Sequence, residues 1–237
     1  MMNIGVTGIS GKLGKALAKV EIEGVQVTPF LSNFLDCAKE DFPFPPNLPD
    51  MVIHTAALAD VCKAEENPEF ALYCNTQLPI QLAEKLIKNN VKMIFISTDH
   101  VFDGRKGYYK PIDTPNPKGV YATSKLAAEL ALIAMGQLVI RTSFISCFPL
   151  EKAFTDKYFS GDTVDIIAKL VTENAIRYSR EKGIVHVGTG RKSIHDVAKR
   201  IRPNVGKMKL EDNPVNRVGL PYLKDTSFCL KETTLFC

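Results

Sequence analysis

The sequence predicts an α/β fold, a doubly wound parallel sheet with helices on both faces and a small C-terminal lobe. Three observations carry that prediction. Short apolar runs alternate with helical patterns over the first 150 residues, which is how a parallel sheet with crossover helices reads. A glycine-rich turn follows the first apolar run directly. A loop rich in glycine and proline separates the end of a central strand from the start of a long helix, where open α/β sheets hold ligands.

The elements follow in order. Residues 3–6 are predicted as a strand, 12–20 as the next helix and 24–30 as a second strand. Residues 51–55, behind Pro49 and Asp50, form a third strand. Within 79–89, Ile80, Leu82, Ala83, Leu86 and Ile87 recur at helical spacing. The run Val-Lys-Met-Ile-Phe-Ile-Ser at 91–97 is a buried strand. An Ala- and Leu-rich helix fills 121–135 with Gly136 as its stop, and 138–141 is the next strand. Four prolines in 42–49 exclude a helix interior or a central strand there, because proline removes a donor. Three glycines and three prolines make 104–119 a loop. After about residue 150 the alternation weakens: 164–178 and 193–201 read as helices, 184–187 as a strand, and the last 35 residues as irregular. The expected division is a core over 1–150 and a reduced lobe over 151–237, interleaved with that core.

Composition narrows the partners. The 237 residues are 45% hydrophobic and 24% charged, enough to bury one full core. The net charge of +4 is scattered, whereas a nucleic-acid surface needs a concentrated basic stripe. A mild basic balance suits a small anionic substrate such as a sugar phosphate. The six cysteines include no C-x-x-C pair and have no histidine at metal-ligand spacing, so free thiols in a reducing compartment are expected, and no metal. The N-terminus runs into a strand without a charged and then apolar leader. No apolar run approaches the roughly 20 residues that span a bilayer. A cytoplasmic protein is expected, with neither membrane nor nucleic acid as partner.

The turn Thr7-Gly8-Ile9-Ser10-Gly11-Lys12-Leu13-Gly14 has the chemistry of a Rossmann-type cofactor site. Its glycines permit a tight turn and close approach of backbone to a pyrophosphate, which then meets the free N–H groups of the helix start. The G-x-x-G-x-x-G spacing differs from the G-x-G-x-x-G dinucleotide fingerprint, and it is not a P-loop. A glycine turn without a ligand is the bland alternative; the position between first strand and first helix argues against it.

Tyr121-Ala-Thr-Ser-Lys125 puts a phenol and an ammonium on one helix face. An adjacent ammonium favours the phenolate and makes the tyrosine a better acid and base near neutral pH. Alone, such a pair is better explained as a surface tyrosine and lysine on an amphipathic helix. Context adds Ile96-Ser97-Thr98-Asp99-His100-Val101-Phe102-Asp103-Gly104, which ends a central strand 23 residues before Tyr121. A hydroxyl there can bond a substrate carbonyl opposite the tyrosine, although Thr98 alone would read as an ordinary strand end.

Together these pieces resemble the extended short-chain dehydrogenase/reductase family, and within it the dTDP-4-dehydrorhamnose reductase group of nucleotide-sugar reductases. The likeness rests on the glycine turn, Asp50-Met-Val-Ile-His-Thr-Ala-Ala57, Lys63-Ala-Glu65 followed by Pro68, and Asn75 before a helix. It continues with Ser97-Thr-Asp-His-Val-Phe-Asp-Gly104, the most specific string, then Tyr121 to Lys125, and Arg141-Thr-Ser143. It is strong over residues 2–145 and fainter in Gly161-Asp-Thr-Val-Asp-Ile-Ile-Ala168 and Gly183-Ile-Val-His-Val-Gly-Thr-Gly190.

The resemblance implies NAD(P)H-dependent reduction of the 4-keto group of a nucleotide-activated deoxysugar, as in dTDP-rhamnose biosynthesis. Tyr121 would give the proton, Lys125 would hold the nicotinamide ribose and lower the Tyr121 pKa, and Thr98 would orient the carbonyl. Gly8, Ser10, Gly11, Lys12, Leu13 and Gly14 would hold the pyrophosphate, Asp36 would lie near the adenine, and Ala56 and Ala57 would lie under the cofactor. Thr98, His100 and Phe144 would face the substrate; the family more often has Tyr and Trp at the latter two. Arg141 receives no role, and Arg217 reads equally as a diphosphate ligand and as a solvated arginine. His54 reads as a satisfied core residue.

The chain also departs from the family. Thr28-Pro-Phe-Leu-Ser-Asn33 has neither an acid nor a base to select a ribose, so NADP or NAD stays open. The shortened C-terminal part implies a reduced substrate lobe. Two other readings stay open: an epimerase/reductase of UDP-sugars, and a non-catalytic cofactor-binding subunit like the regulatory subunit of methionine adenosyltransferase. The expected partner is a nucleotide-sugar substrate, with a homodimer left open.

Overall fold

The computed structural model describes residues 1–31 and 44–236. Its centre is a seven-stranded sheet in the order β13-β10-β5-β4-β3-β1-β2. The strands are β1 (Met2–Thr7), β2 (Val25–Pro29), β3 (Met51–His54), β4 (Lys92–Thr98), β5 (Leu138–Thr142), β10 (Lys182–His186) and β13 (Thr234–Phe236). Every pairing is parallel except β10 with β13. The doubly wound α/β expectation holds, with one antiparallel edge strand in a tail that reads as irregular.

The strand residues explain this arrangement. In β4, Met93 and Phe95 join one apolar cluster while Ile94 and Ile96 join the other, so a strand apolar on both faces is covered on both. One cover is α1 (Lys12–Leu17) with α6 (Val164–Arg177), through Leu13, Leu17, Ile167 and Val171. The other is α4 (Leu78–Lys88) with α5 (Val120–Ala134), through Leu78, Leu82, Leu86, Ala128 and Leu132.

Between β3 and α4 the structure adds α2 (Val61–Glu66), α3 (Pro68–Leu72) and a π-helical turn over Tyr73–Gln77. Asp60 and Asn67 cap the two short helices with their side chains. After β5 come four short strands, β6 (Phe144–Ile145), β7 (Lys152–Phe154), β8 (Tyr158–Phe159) and β9 (Asp162–Thr163). They pair with one another or with β11 (Lys192–Ser193) and β12 (Gly206–Met208). The helix α7 (Ile194–Ile201) starts at a Ser193–Asp196 capping box.

From β1 the chain moves outward to β2, then returns to the opposite side of β1 as β3. Such a reversal opens a crevice at the carboxyl ends of the strands. Among the described residues no helix is long and apolar enough to cross a membrane.

Candidate active site

The crevice is a cleft of about 580 Å³, within the size range of small-molecule and cofactor sites. Gly11, Lys12 and Leu13 line it after β1, and Thr55, Ala57, Ala59, Asp60 and Val61 after β3. Ile96 to His100 contribute from β4 and its end, Tyr121 and Lys125 from α5, and Thr142, Ser143 and Phe144 from the end of β5. Strand ends from four parallel strands therefore meet the starts of α1, α2 and α5.

The glycine turn is as tight as its chemistry requires. Gly8 has φ +68, and a Cβ there would lie 2.7 Å from the Ala56 nitrogen. A Cβ on Gly14 would lie 2.2 Å from the Gly8 carbonyl oxygen. Gly11 is the N-cap of α1 and brings no side-chain cap, so the first N–H groups of the helix meet no side chain of their own. Gly11, Lys12 and Leu13 face the cleft, Gly8, Gly14 and Ala56 pack together in the turns behind its wall, and Ser10 is exposed in the turn and does not line the cleft. Asp36 lies outside the described residues.

Tyr121, Lys125 and Thr98 come together as the sequence leads one to expect. The Tyr121 phenol shares the cleft with Thr98, and burial pushes that phenol up to about 12. This corrects one expectation, because Lys125 does not draw the phenol toward its ionised form. The Lys125 ammonium lies 3.8 Å from the centre of the Phe95 ring. Burial pulls that ammonium down to about 7, against the attraction of Glu129. His100 lies edge-on to Tyr121 at 6.2 Å, and burial holds its imidazole below the usual range, with Lys157 adding to this and Asp99 opposing it.

Two side chains aim α5 at the cleft. Gly119, at the head of the helix, offers no side-chain cap. The Glu65 carboxylate of α2 instead accepts the Val120 N–H at 2.5 Å. Asn75, fully buried in the π-helical turn, accepts from Leu58 N at 2.8 Å and donates to Leu58 O at 3.2 Å. The same amide donates to Ser124 Oγ at 3.0 Å. One amide thus ties the loop after β3 to the first turn of the Tyr121 helix. Both residues belong to motifs visible in the sequence, but only contacts over 49 and 55 positions reveal what they do.

Other candidates resolve into packing. The buried His54 shares a hydrogen bond of 2.8 Å with Thr7 and stacks on Phe95. Arg141 is buried against Glu129. Arg217 lies 3.5 Å from Asp60 at the cleft wall and is largely exposed. The four cysteines among the described residues are free thiols.

Residues 2–148 match the RmlD substrate binding domain family. The chain belongs to that family. It is 33% identical over 152 residues to dTDP-4-dehydrorhamnose reductase of Aggregatibacter actinomycetemcomitans, covering 61% of this chain and 52% of that protein. It is 30% identical over 139 residues to methionine adenosyltransferase 2 subunit beta of Xenopus tropicalis, covering 54% of this chain and 42% of that one. The chain thus spans about half the length of the curated relatives it matches.

The crystal structure of a dTDP-4-dehydrorhamnose reductase from Clostridium acetobutylicum superposes with a TM-score of 0.80 at 25% identity, covering 96% of this chain and 90% of that one. The Bacillus anthracis dTDP-4-dehydrorhamnose reductase, solved in complex with NADP, gives 0.76 at 23% identity over 96% and 90% of the two chains. The latter likeness is one of fold.

Proposed function

We propose that this RmlD-family chain reduces the 4-keto group of a nucleotide-activated deoxysugar, with NADPH or NADH as hydride source. The observation that carries the reading is the Tyr121 phenol, set in one cleft with Thr98 and Lys125 and held protonated by burial, with the glycine turn lining the same cleft. A proton donor for carbonyl reduction must keep its proton through the neutral range, and this phenol does.

The cleft residues fit a nicotinamide dinucleotide. The turn at Gly8 and Gly14 packs backbone on backbone with no room for a side chain, and Gly11 to Leu13 line the cleft where a pyrophosphate would meet the helix start. Lys125, charged when paired with ribose hydroxyls, and Ala57 would complete the seat. Such a cofactor supplies hydride to the carbonyl carbon. Tyr121 then gives its phenolic proton to the carbonyl oxygen, Thr98 orients that oxygen, and Lys125 steadies the phenolate that remains. His100 and Phe144 would face the sugar. NADPH is the first choice, because the Bacillus anthracis relative of the same fold was solved with NADP.

The reading extends to the short-chain dehydrogenase/reductase class, which the Tyr121–Lys125 spacing supports, and to a cytoplasmic enzyme of nucleotide-sugar metabolism working as monomer or homodimer. Purified protein is expected to oxidise NADPH when given a dTDP- or UDP-linked 4-keto-6-deoxyhexose, and Tyr121→Phe to abolish that oxidation. Intact cofactor binding without turnover of any such sugar nucleotide would sink the substrate assignment.

A second reading has support of its own in the 30% identity to methionine adenosyltransferase 2 subunit beta. It makes this chain a cofactor-binding partner of a synthetase. Co-purification with a methionine adenosyltransferase, together with absent turnover, would decide for it.

A further inference from the structure

The helix α5 begins without a cap of its own. Gly119 at its head has φ +85 and no side chain to offer the first N–H groups. The acceptor comes from α2 instead, where the Glu65 carboxylate takes the Val120 N–H at 2.5 Å across 55 positions of chain. A carboxylate in that place also meets the positive end of the helix dipole. Only glycine fits at 119 beside it. A Cβ there would lie 2.5 Å from Glu65 Oε1 and 2.8 Å from Leu220 Cδ1. Leu220 belongs to a hairpin in which Val215 pairs with Pro221, so the C-terminal part of the chain closes over the same junction.

Tyr121 stands between two ties. Val120, just before it, is held by Glu65. Ser124, three positions after it, donates back to the Tyr121 carbonyl at 2.8 Å and is held from outside the helix. The Asn75 amide donates to Ser124 Oγ at 3.0 Å, and the Thr76 hydroxyl donates to the Ser124 carbonyl at 2.8 Å. Lys125 follows this second tie and is 3% exposed. The phenol therefore depends on both ties, the Lys125 ammonium on the second.

A helix start frays when its free N–H groups lose their partners. Without the Glu65 carboxylate, fraying reaches Tyr121 and stops at Ser124. The phenol then spends part of its time away from its place in the cleft, while Lys125 keeps its place in the wall. Proton donation and the seating of the cofactor thus become separable, because only the first answers to Glu65.

We propose that Glu65 is a positioning residue for the reaction in this cleft: as a cap supplied to α5 by another helix, it holds the Tyr121 phenol where the carbonyl oxygen is protonated. The inference rests on the reductase reading, and it gives a share in the chemistry to a side chain that does not line the cleft.

The test compares Glu65→Ala, which removes the acceptor, with Glu65→Gln, which keeps an oxygen at the same reach. Each variant is read twice, by kinetics with NADPH and a 4-keto sugar nucleotide, and by a crystal structure that shows the Tyr121 ring. The alanine variant should lose about tenfold in kcat, the scale of one lost helix cap, with KM for NADPH unchanged. Glutamine should restore kcat to within about threefold of wild type, since a neutral acceptor makes the weaker bond. The Tyr121 ring should leave its wild-type place only in the alanine variant. Equal kcat for the two variants, a ring in its wild-type place in the alanine variant, or a KM for NADPH that rises as far as kcat falls overturns the proposal. If the wild-type protein turns over no such sugar, the reductase reading fails and the place of the ring still decides about Glu65. Should the alanine variant not fold, Gly119→Ala, whose Cβ would drive the carboxylate away, is read by the same criteria.

Discussion

Arg141 forks onto Glu129 inside the core. Its Nη2 lies 2.7 Å from Oε2, its Nε lies 3.1 Å from both carboxylate oxygens, and the two side chains are 2% and 0% exposed. Arg141 stands on β5 and Glu129 on α5, so the pair locks the Tyr121 helix to the sheet beneath the cleft. Removing one partner leaves a buried, unpaired charge, which costs about 3–5 kcal/mol. Glu129→Gln is therefore expected to lower stability in urea by an amount in that range. A loss below about 1 kcal/mol would show that the guanidinium finds other partners.

A second expectation concerns acid. His54 and His186 are both pushed down to about 3, chiefly by burial, with Lys125 acting on the first and Arg141 on the second. A histidine whose folded pKa is depressed binds its proton more readily in the unfolded chain. Stability is then full above about pH 6.5 and is lost as pH falls toward 3. By pH 5 the two together should cost about 4 kcal/mol. Asp103 and Asp162, held below the usual carboxylate range, act only at lower pH. Unfolding free energies at pH 7 and pH 5 check this, and His186→Phe should remove about half of the difference. A variant with the full wild-type difference would refute the assignment to His186.

Lys125 makes a prediction with the opposite sign for stability and activity. Its folded pKa of about 7 lies below the ordinary lysine value, so burial works against the charged form at neutral pH, and the native state gains as pH rises from 7 toward 10. Lys125→Met should raise stability at pH 7 by at least about 1 kcal/mol while turnover is lost, the trade expected where function holds a strained charge. Thermal melts at pH 7 and pH 9.5 test it: the gain should shrink at the higher pH.

Asn75 should report on both walls of the cleft. Replacing it with alanine leaves the half-buried Leu58 N and O without their amide, at about 1 kcal/mol for each hydrogen bond lost. The expected result is lower stability together with weaker NADPH binding, because the loop after β3 and the start of α5 come loose from each other. Ser124→Ala, which removes only the α5 side of the tie, should cost less on both counts. Cofactor titration by fluorescence quenching measures the binding, and an Asn75→Ala protein with unchanged affinity would contradict the role.

Much of this was legible in the sequence because it is local. The apolar runs at 91–97 and 138–141 are buried on both faces, which periodicity reports directly. The glycine turn, Thr98 and the Tyr121–Lys125 pair sit at element ends, where residue type is tied to backbone geometry. What stayed hidden depends on distance along the chain. No pattern near Glu65 says that its carboxylate caps a helix 55 residues away, and no pattern near Thr226 says that it meets Asp99. The direction of the Tyr121 shift also escaped, since the sequence shows a lysine one turn away but not the Phe95 ring that takes up its ammonium. The edge strand β13 lay in a tail without alternation, where only pairing with β10 makes it a strand.

The most direct test of the central claim follows the hydrogen itself. NADPH carrying deuterium at the transferable C4 position is incubated with the wild-type protein and a dTDP-linked 4-keto-6-deoxyhexose, and the sugar product is read by mass spectrometry. The account predicts one deuterium on the sugar C4 with wild-type protein and none with Tyr121→Phe. Cofactor binding with all deuterium retained on the nicotinamide, for every 4-keto sugar nucleotide offered, would contradict it.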